Sequence, residues 1–153
     1  MILTKGLTAI LLAVIAGWLL QDAFVGAAVG RPLVLDGDTL EFDGERIDLW
    51  GIDAPEFEQT CTAGGTEWAC GAFAYGNLVT RLGQGGVWCL PRGYDAQSAP
   101  RAQCFQGFKD VGKTSVAQGW AYAANSVTQA YGSDEARARR EARGLWRKHA
   151  APR

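Results

Sequence analysis

A two-residue turn between two alternating segments is the feature that most restricts how this chain can fold. Asp43-Gly44 separates VLDGDTLEF from ERIDLWGI, and both runs alternate apolar and polar residues. An Asp-Gly pair suits a tight hairpin, and the alternation is typical of half-buried strands. Counting outward predicts the pairs Phe42 with Glu45, Glu41 with Arg46, Leu40 with Ile47 and Thr39 with Asp48. We expect Leu40, Phe42, Ile47 and Leu49 to face the core.

The remaining segments predict further short elements. Apolar spacing predicts a helix over 66–82, and GVWCL and RAQCF predict a second hairpin around a loop at 91–100. Asp110 to Gln118 predicts a short helix, 120–123 a short strand, and Ser133 the start of a last helix. Hairpins with about three helices and no βαβ alternation predict an α+β domain on a curled antiparallel sheet, such as an OB barrel.

The N-terminus has the layout of a segment that directs export. Lys5 precedes fifteen predominantly apolar residues, and small residues near Ala27 and Ala28 offer a cleavage site. Residues 6–29 are also long enough to span a bilayer as a retained anchor. Residues 1–29 are therefore either a cleaved signal or an anchor, and residues 30–153 one domain. The positive-inside tendency places that domain in the periplasm, tethered to the inner membrane, or secreted after cleavage.

Four cysteines agree with an exported domain. An even number in a small exported chain favours two disulfides, whereas the gaps between them do not suit a zinc site. Of the three pairings, we favour the nearest neighbours, because the second pair lies on two strands of one predicted hairpin. The cysteines are Cys61, Cys70, Cys89 and Cys104.

The charges are unevenly distributed. The chain carries a net charge of −1, which excludes a generally basic nucleic-acid binder. Residues 36–58 nevertheless hold nine acids and one base, while residues 134–153 hold seven bases and three acids. The near-neutral total therefore conceals an acidic region around the first hairpin.

Two acidic motifs flank this hairpin and form the candidate functional site. DGDT occupies 36–39 and GIDAPE occupies 51–56. The carboxylates of Asp38 and Asp53, with a backbone carbonyl and water, are the hard oxygen ligands that Ca²⁺ prefers. Glu56 could activate a water beside a metal-polarised phosphodiester. A solvated turn followed by a capped loop is the alternative interpretation.

In order along the chain, several motifs resemble the thermonuclease (staphylococcal-nuclease-like) family. They are DGDTL, the run at 47–56 that ends in GIDAPE, GWAYA at 119–123, Tyr131, Glu135 and GLW at 144–146. The resemblance covers nearly the whole exported domain. It implies a five-stranded OB barrel with three helices and a Ca²⁺-dependent phosphodiesterase that acts on DNA and RNA.

The resemblance also implies roles for individual residues. Asp38 and Asp53 match the calcium carboxylates, and Ala54 matches the residue that lends a backbone carbonyl. Asp36 matches a supporting carboxylate, and Glu56 matches the general base.

Two arginines that bind phosphate in this family are replaced here. Asp48 stands at the first position, five residues before Asp53, and Ala99 stands at the second, five residues before Cys104. An anion thus replaces a cation at the first position. Arg46 and Arg101 lie two residues away, about 7 Å along a strand, and are the candidate substitutes. Arg46 also faces Glu41 in the predicted register, which favours a cross-strand pair.

These substitutions predict a thermonuclease-like domain whose catalysis is lost or weakened. We expect it to serve as an accessory or interaction module of an inner-membrane assembly, attached to the membrane through residues 6–29. The alternative is an active Ca²⁺-dependent nuclease outside the cytoplasm with a rearranged phosphate clamp. Only that alternative requires nucleic acid as a partner.

Overall fold

The computed structural model describes residues 28–148. Within this range the chain forms short strands and three helices, α1 (Cys70–Leu82), α2 (Val111–Ala117) and α3 (Gly132–Arg140), and a 3-10 turn follows at Gly144–Trp146. The strands are β1 (Val29–Gly30), β2 (Leu33–Val34), β3 (Thr39–Phe42), β4 (Glu45–Leu49), β5 (Ile52–Asp53), β6 (Cys61–Ala63), β7 (Thr66–Trp68), β8 (Val87–Tyr94), β9 (Pro100–Gln106), β10 (Lys109–Asp110) and β11 (Tyr122–Ala123). The predicted α+β class is confirmed.

Seven of these strands form one curled sheet. Its order is β1-β8-β9-β4-β3-β2, with β10 paired to β9. β1 and β2 lie at opposite ends of this order, although only Arg31 and Pro32 separate them in the chain. Because one short segment contributes to both ends, the sheet curls into a barrel-like shape.

One strand contact contradicts the expectation of a purely antiparallel sheet. β4 and β9 run parallel, with Asp48 opposite Arg101 and Leu49 opposite Ala102. The chain between them includes α1 and β8, and this long connection permits two strands to run in the same direction. The other strand pairs of this sheet are antiparallel.

The register of the first hairpin is confirmed at all four predicted pairs. Leu40 lies opposite Ile47 and Thr39 opposite Asp48, with the turn at Asp43-Gly44. Leu40, Ile47 and Leu49 are buried in the main core, and Phe42 packs against that core while partly exposed. The turn therefore places the apolar face inward, as the alternation predicts.

The second hairpin brings Cys89 directly opposite Cys104. Disulfides join Cys89 to Cys104 and Cys61 to Cys70, which is the favoured pairing. The predicted loop at 91–100 is too long, because β8 continues through Tyr94 and β9 begins at Pro100. A register shift between Pro91 and Gly93 lets the strand continue past the proline.

The helix predicted over 66–82 begins only at Cys70. Thr66–Trp68 instead pairs with Cys61–Ala63 across Gly64 and Gly65. Both glycines have positive φ, of 59° and 77°, which is the requirement of a tight two-residue hairpin turn. The Gly-Gly turn therefore makes Thr66–Trp68 the second strand of a hairpin, although apolar spacing alone predicts that these residues are helical.

The last two helices are found close to their predicted positions. The helix predicted over Asp110 to Gln118 is α2, and Asp110 caps it by accepting a hydrogen bond from the Lys113 N–H. The predicted start of α3 at Ser133 is wrong, because the helix begins at Gly132. The Tyr131 carbonyl already accepts hydrogen bonds from the N–H groups of Asp134 and Glu135. The strand predicted over 120–123 is shorter, since only Tyr122–Ala123 forms β11, which pairs with β5.

The predicted export segment lies outside the described residues except at its end. Val29 belongs to β1, where it faces Trp88. The Cys89 N–H donates to the Ala28 carbonyl at 2.8 Å. Within residues 28–148 the structure contains no helix with the length and hydropathy to cross a bilayer.

Candidate functional site

The first acidic motif forms a tight turn held by its own side chain. Asp36 Oδ1 accepts hydrogen bonds from the N–H groups of Asp38 (3.0 Å) and Thr39 (2.7 Å). This is the local bonding that aspartate offers at turns. Asp38 in turn accepts at Oδ2 from the Ala54 N–H at 2.7 Å. One carboxylate therefore shapes the turn, and the next joins it to the second acidic motif.

Gly37 explains how the two motifs approach so closely. A Cβ atom at this position would lie 2.7 Å from the Ala54 Cβ and 3.0 Å from the Ala74 Cβ of α1. Only a residue without a side chain fits between them. The middle residue of DGD is thus a packing requirement that fixes Asp36 and Asp38 against Ala54.

The Asp38 carboxyl is held in an unfavourable setting for a negative charge. Burial raises its pKa well above the usual range, and both a side-chain hydrogen bond and the charge of Asp36 raise it further. The Ala54 N–H opposes this by stabilising the ionised form, and Asp53 adds a smaller repulsion. The negative charges of Asp36 and Asp53 therefore both disfavour ionisation of Asp38.

The metal-ligand set predicted from the sequence is only partly brought together. Asp36 and Asp38 meet, whereas Asp53 and Glu56 are exposed. Among residues 28–148 no group of three or more His, Cys, Asp or Glu side chains is arranged to hold a metal ion. The side chains that do converge would supply two carboxylates, and Ca²⁺ would need water and carbonyl oxygen to complete its total of about six to eight ligands.

Glu56 is fixed by its backbone. Its N–H donates to Gln59 Oε1 at 3.2 Å, and its carbonyl accepts from the Gln59 N–H at 2.8 Å. A Cβ atom on Gly71 would lie 1.7 Å from this carbonyl oxygen. The segment after GIDAP is therefore pressed against the first turn of α1, while the carboxylate of Glu56 points away from the core.

Asp48 lies among like charges. Partial burial raises the pKa of its carboxyl, and Asp95 and Asp36 raise it by repulsion. The Thr39 hydroxyl donates to Asp48 Oδ1 at 3.4 Å, and this bond and Arg101 act in the opposite direction. Acidic neighbours therefore make the electrostatic field at Asp48 negative, at the position where the resemblance implies an arginine. Arg101 is the cation that lies opposite it.

The second arginine position contains only a methyl group. Ala99 ends a loop in which Asp95 Oδ1 accepts from the N–H groups of Gln97 and Ala99, both at 2.8 Å. The Asp95 carboxylate is therefore used to order the loop, and its charge also reaches Asp48. Sequence reasoning missed Asp95, because its proximity to Asp48 follows from strand pairing between distant segments.

The two candidate substitute arginines differ in position. Arg101 lies directly opposite Asp48 across β4 and β9. It also lines a cavity of about 720 Å³, together with Glu45 and Tyr94. Arg46 is exposed and lies opposite Glu41, away from that contact. Only Arg101 is brought to the replaced position.

A polar network beside β9 also escaped sequence reasoning. Asp110 Oδ2 accepts hydrogen bonds from Gln103 Nε2 and from the Tyr131 hydroxyl, each at 2.7 Å. Burial and this bond raise the pKa of Tyr131. Arg92 bonds to Gln103 and lies 5.2 Å from the centre of the Trp50 ring. These contacts tie α2 and the loop before α3 to the sheet.

Comparison with known proteins gives one informative similarity. No protein-family model matches the chain. The chain is 32% identical over 143 residues to the succinoglycan biosynthesis protein ExoI of Rhizobium meliloti (strain 1021), covering 84% of this chain and 71% of that protein. At this identity and coverage, the chain belongs to the same family as ExoI.

Proposed function

We propose that the protein is an exported, membrane-anchored thermonuclease-like module with little or no nuclease activity. It acts as an accessory component of an inner-membrane assembly that produces cell-surface polysaccharide. The name of its relative, a succinoglycan biosynthesis protein, supports the polysaccharide role. The resemblance of the DGDT and GIDAPE motifs to the thermonuclease family supports the domain type.

The strand arrangement supports an OB-type barrel within this proposal. β1 and β2 act as two halves of one bent strand, since one pairs with β8 and the other with β3. Counted in this way, they form five strands together with β3, β4, β8 and β9. The parallel β4–β9 contact then joins the two hairpins of the barrel.

The charge at Asp48 is the observation that carries the proposal. A phosphate clamp needs fixed cations where negative charge develops. Here that position holds a carboxylate, and Asp36 and Asp95 make its surroundings more negative. A phosphodiester would be repelled from the position at which the thermonuclease family binds phosphate.

Export supports a role outside the cytoplasm. The two disulfides are typical of an oxidising compartment. The apolar segment at 6–20 lies before the described domain in the chain and suits either a retained anchor or a cleaved signal. Because Ala28 and Val29 pair with β8, the proposal keeps in the membrane only the part of residues 6–29 that precedes them. The periplasm is the proposed location of the domain.

A nuclease assay of the purified full-length chain tests the proposal. With single-stranded DNA we expect hydrolysis no faster than the background, with or without Ca²⁺. A pull-down from solubilised inner membrane should recover a stable complex with membrane proteins of polysaccharide production. Calcium-stimulated cleavage, together with no stable membrane partner, would overturn the proposal.

An active Ca²⁺-dependent nuclease is the second candidate function, and Arg101 favours it. Its position opposite Asp48 would let a guanidinium bind phosphate near the replaced arginine. Asp36, Asp38 and Asp53 would then hold the metal with the Ala54 carbonyl, and bound Ca²⁺ would polarise the phosphodiester. Glu56 would serve as the base. This function requires hydrolysis that disappears in both Asp38→Ala and Arg101→Ala, whereas Arg46→Ala remains active.

A further inference from the structure

A groove lies on the side of α1 that faces away from the acidic motifs. It has a volume of about 450 Å³ and is lined by Ala72, Phe73, Gly76, Asn77, Thr80 and Trp120. The opposite side of the same helix carries Ala74 and Leu78, which are buried. The groove is shallow and open to solvent.

Two aromatic rings form the wall of this groove. Phe73 and Trp120 are nearly parallel, with 9° between their planes and 6.3 Å between their centroids. Trp68 packs edge-on against both rings. It belongs to a small core that includes the Cys61–Cys70 disulfide. The wall is therefore held in place before any ligand binds, while 43% of Phe73 stays exposed.

Gly76 keeps the floor of the groove open. A Cβ atom at this position would meet no atom within 4 Å, so the packing of the described chain does not require a glycine here. In a helix interior, glycine is about 0.5–1 kcal/mol less favourable than alanine. A residue that costs stability and leaves the helix backbone accessible suits close approach by a ligand.

Polar groups and one cation border the aromatic wall. The Asn77 side-chain oxygen accepts no hydrogen bond from the described residues, and rotation of its terminal torsion would present it to the groove. The Arg147 guanidinium lies 4.1 Å from the centre of the Trp68 ring, 5.1 Å from that of Trp120 and 5.7 Å from that of Phe73. Its Nε donates to the Gly144 carbonyl at 2.7 Å, which leaves its two terminal NH₂ groups for a ligand. The ion pairs within residues 28–148 do not include Arg147, and no acid lines the groove.

We propose that this groove binds an acidic oligosaccharide. The C–H face of a sugar ring packs on Phe73 and Trp120, because aromatic faces are negative and sugar C–H groups are weakly positive. Asn77 and Thr80 bond the hydroxyl groups, and Arg147 binds a carboxylate. The choice of a glycan rests on the proposed role in polysaccharide production. Aromatic rings beside a cation also suit single-stranded nucleic acid, which the test must therefore include.

The test measures binding to the purified full-length chain in a detergent without a sugar headgroup. Tetragalacturonate is titrated by calorimetry and tryptophan fluorescence, beside neutral cellotetraose and a thymidine tetranucleotide. We expect tetragalacturonate to bind most tightly, and its affinity to fall with added salt. Gly76→Leu and Phe73→Ala should each weaken it at least tenfold, and Arg147→Gln should remove its advantage over cellotetraose.

Matched variants on α1 and α3 serve as controls. Val79→Ala removes another exposed apolar side chain from α1, and Arg140→Gln removes an exposed charge from α3. Both should bind tetragalacturonate like the unaltered protein. Thermal unfolding of every variant separates loss of the groove from loss of the fold.

Three results would overturn the inference. They are no tetragalacturonate binding at millimolar concentration, binding that Gly76→Leu and Phe73→Ala leave unchanged, and tighter binding of the tetranucleotide with the same dependence on these variants. The nuclease assay on the same samples keeps the two proposals apart. Cleavage with intact glycan binding refutes the proposed loss of catalysis alone, whereas absent glycan binding without cleavage refutes the groove alone.

Discussion

The two sides of α1 differ in how closely the rest of the protein packs against them. Toward the acidic motifs, Gly71 and Ala74 pack against Glu56 and Gly37 so closely that no added side chain fits. Away from them, Gly76 faces open space beside aromatic rings. We propose that the first side keeps the packing of a nuclease-like site but has the wrong charge for phosphate. The second side keeps open space at Gly76 that packing does not require, and it is the surface that we propose as a glycan-binding groove.

Restoring the clamp should have the largest effect on the acidic side. Asp48→Arg with Ala99→Arg supplies two guanidinium groups where phosphate charge develops, and one such donor is worth ~10²–10³ in rate. We expect calcium-dependent cleavage of single-stranded DNA to rise at least ~10²-fold above the unaltered protein. The control, Glu45→Arg with Gln97→Arg, adds the same two residues at exposed neighbouring positions. Unchanged cleavage with calcium demonstrably bound would show that the defect lies elsewhere.

Two glycines of one helix should respond in opposite ways. Gly71→Ala places a methyl group against the Glu56 carbonyl, and we expect the free energy of unfolding to fall by about 3 kcal/mol, as for severe overpacking. Gly76→Ala meets no atom and should raise it by about 0.5–1 kcal/mol. Urea denaturation of both variants measures the difference. Equal effects would mean that the two sides of α1 are not packed differently.

The Cys61–Cys70 disulfide should support the groove more than the acidic site. Its loop spans nine residues, so replacing both cysteines by alanine should cost about 2.5 kcal/mol of stability. Trp68, which contacts the groove wall, packs in the same small core. We therefore expect the double replacement to change NMR chemical shifts mainly at Phe73 and Trp120. Larger chemical-shift changes at Asp36 and Asp38 would show that the disulfide supports the acidic site more than the groove.

The charge on Asp48 should produce the smallest effect, seen as a pH dependence. Its folded-state pKa is raised above the usual 3.8, so the folded chain binds this proton more tightly than the unfolded chain. The free energy of unfolding should therefore decrease as the pH rises from about 4 through the raised pKa. Asp48→Asn should flatten this slope relative to the unaltered protein, and Asp43→Asn is the exposed control. An unchanged slope would show that the Asp48 carboxyl does not cause this pH dependence.

Local signals predicted the elements that depend on neighbouring residues. The Asp43-Gly44 turn determined every pair of the first hairpin, because a two-residue loop leaves no freedom of register. The same reasoning applied to Gly64-Gly65 would have revealed the β6–β7 hairpin. The helix prediction over 66–82 failed there because apolar spacing was given more weight than the turn residues.

The features that sequence did not reveal depend on contacts between distant segments. Asp95 reaches Asp48 through the pairing of β4 with β9, and nothing in DAQSA indicates that proximity. The groove joins α1 to Trp120 and to Arg147 near the C-terminus. The residues of the acidic site could be identified from motifs, whereas the field around them required the fold.

The central claim is that this chain has kept the packing of a nuclease-like site and lost its phosphate clamp. The most direct test is hydrolysis of single-stranded DNA by the purified full-length protein, measured with and without Ca²⁺. The account predicts no cleavage above the rate of an Asp38→Ala variant in either condition. Calcium-stimulated cleavage that disappears in Asp38→Ala would contradict it.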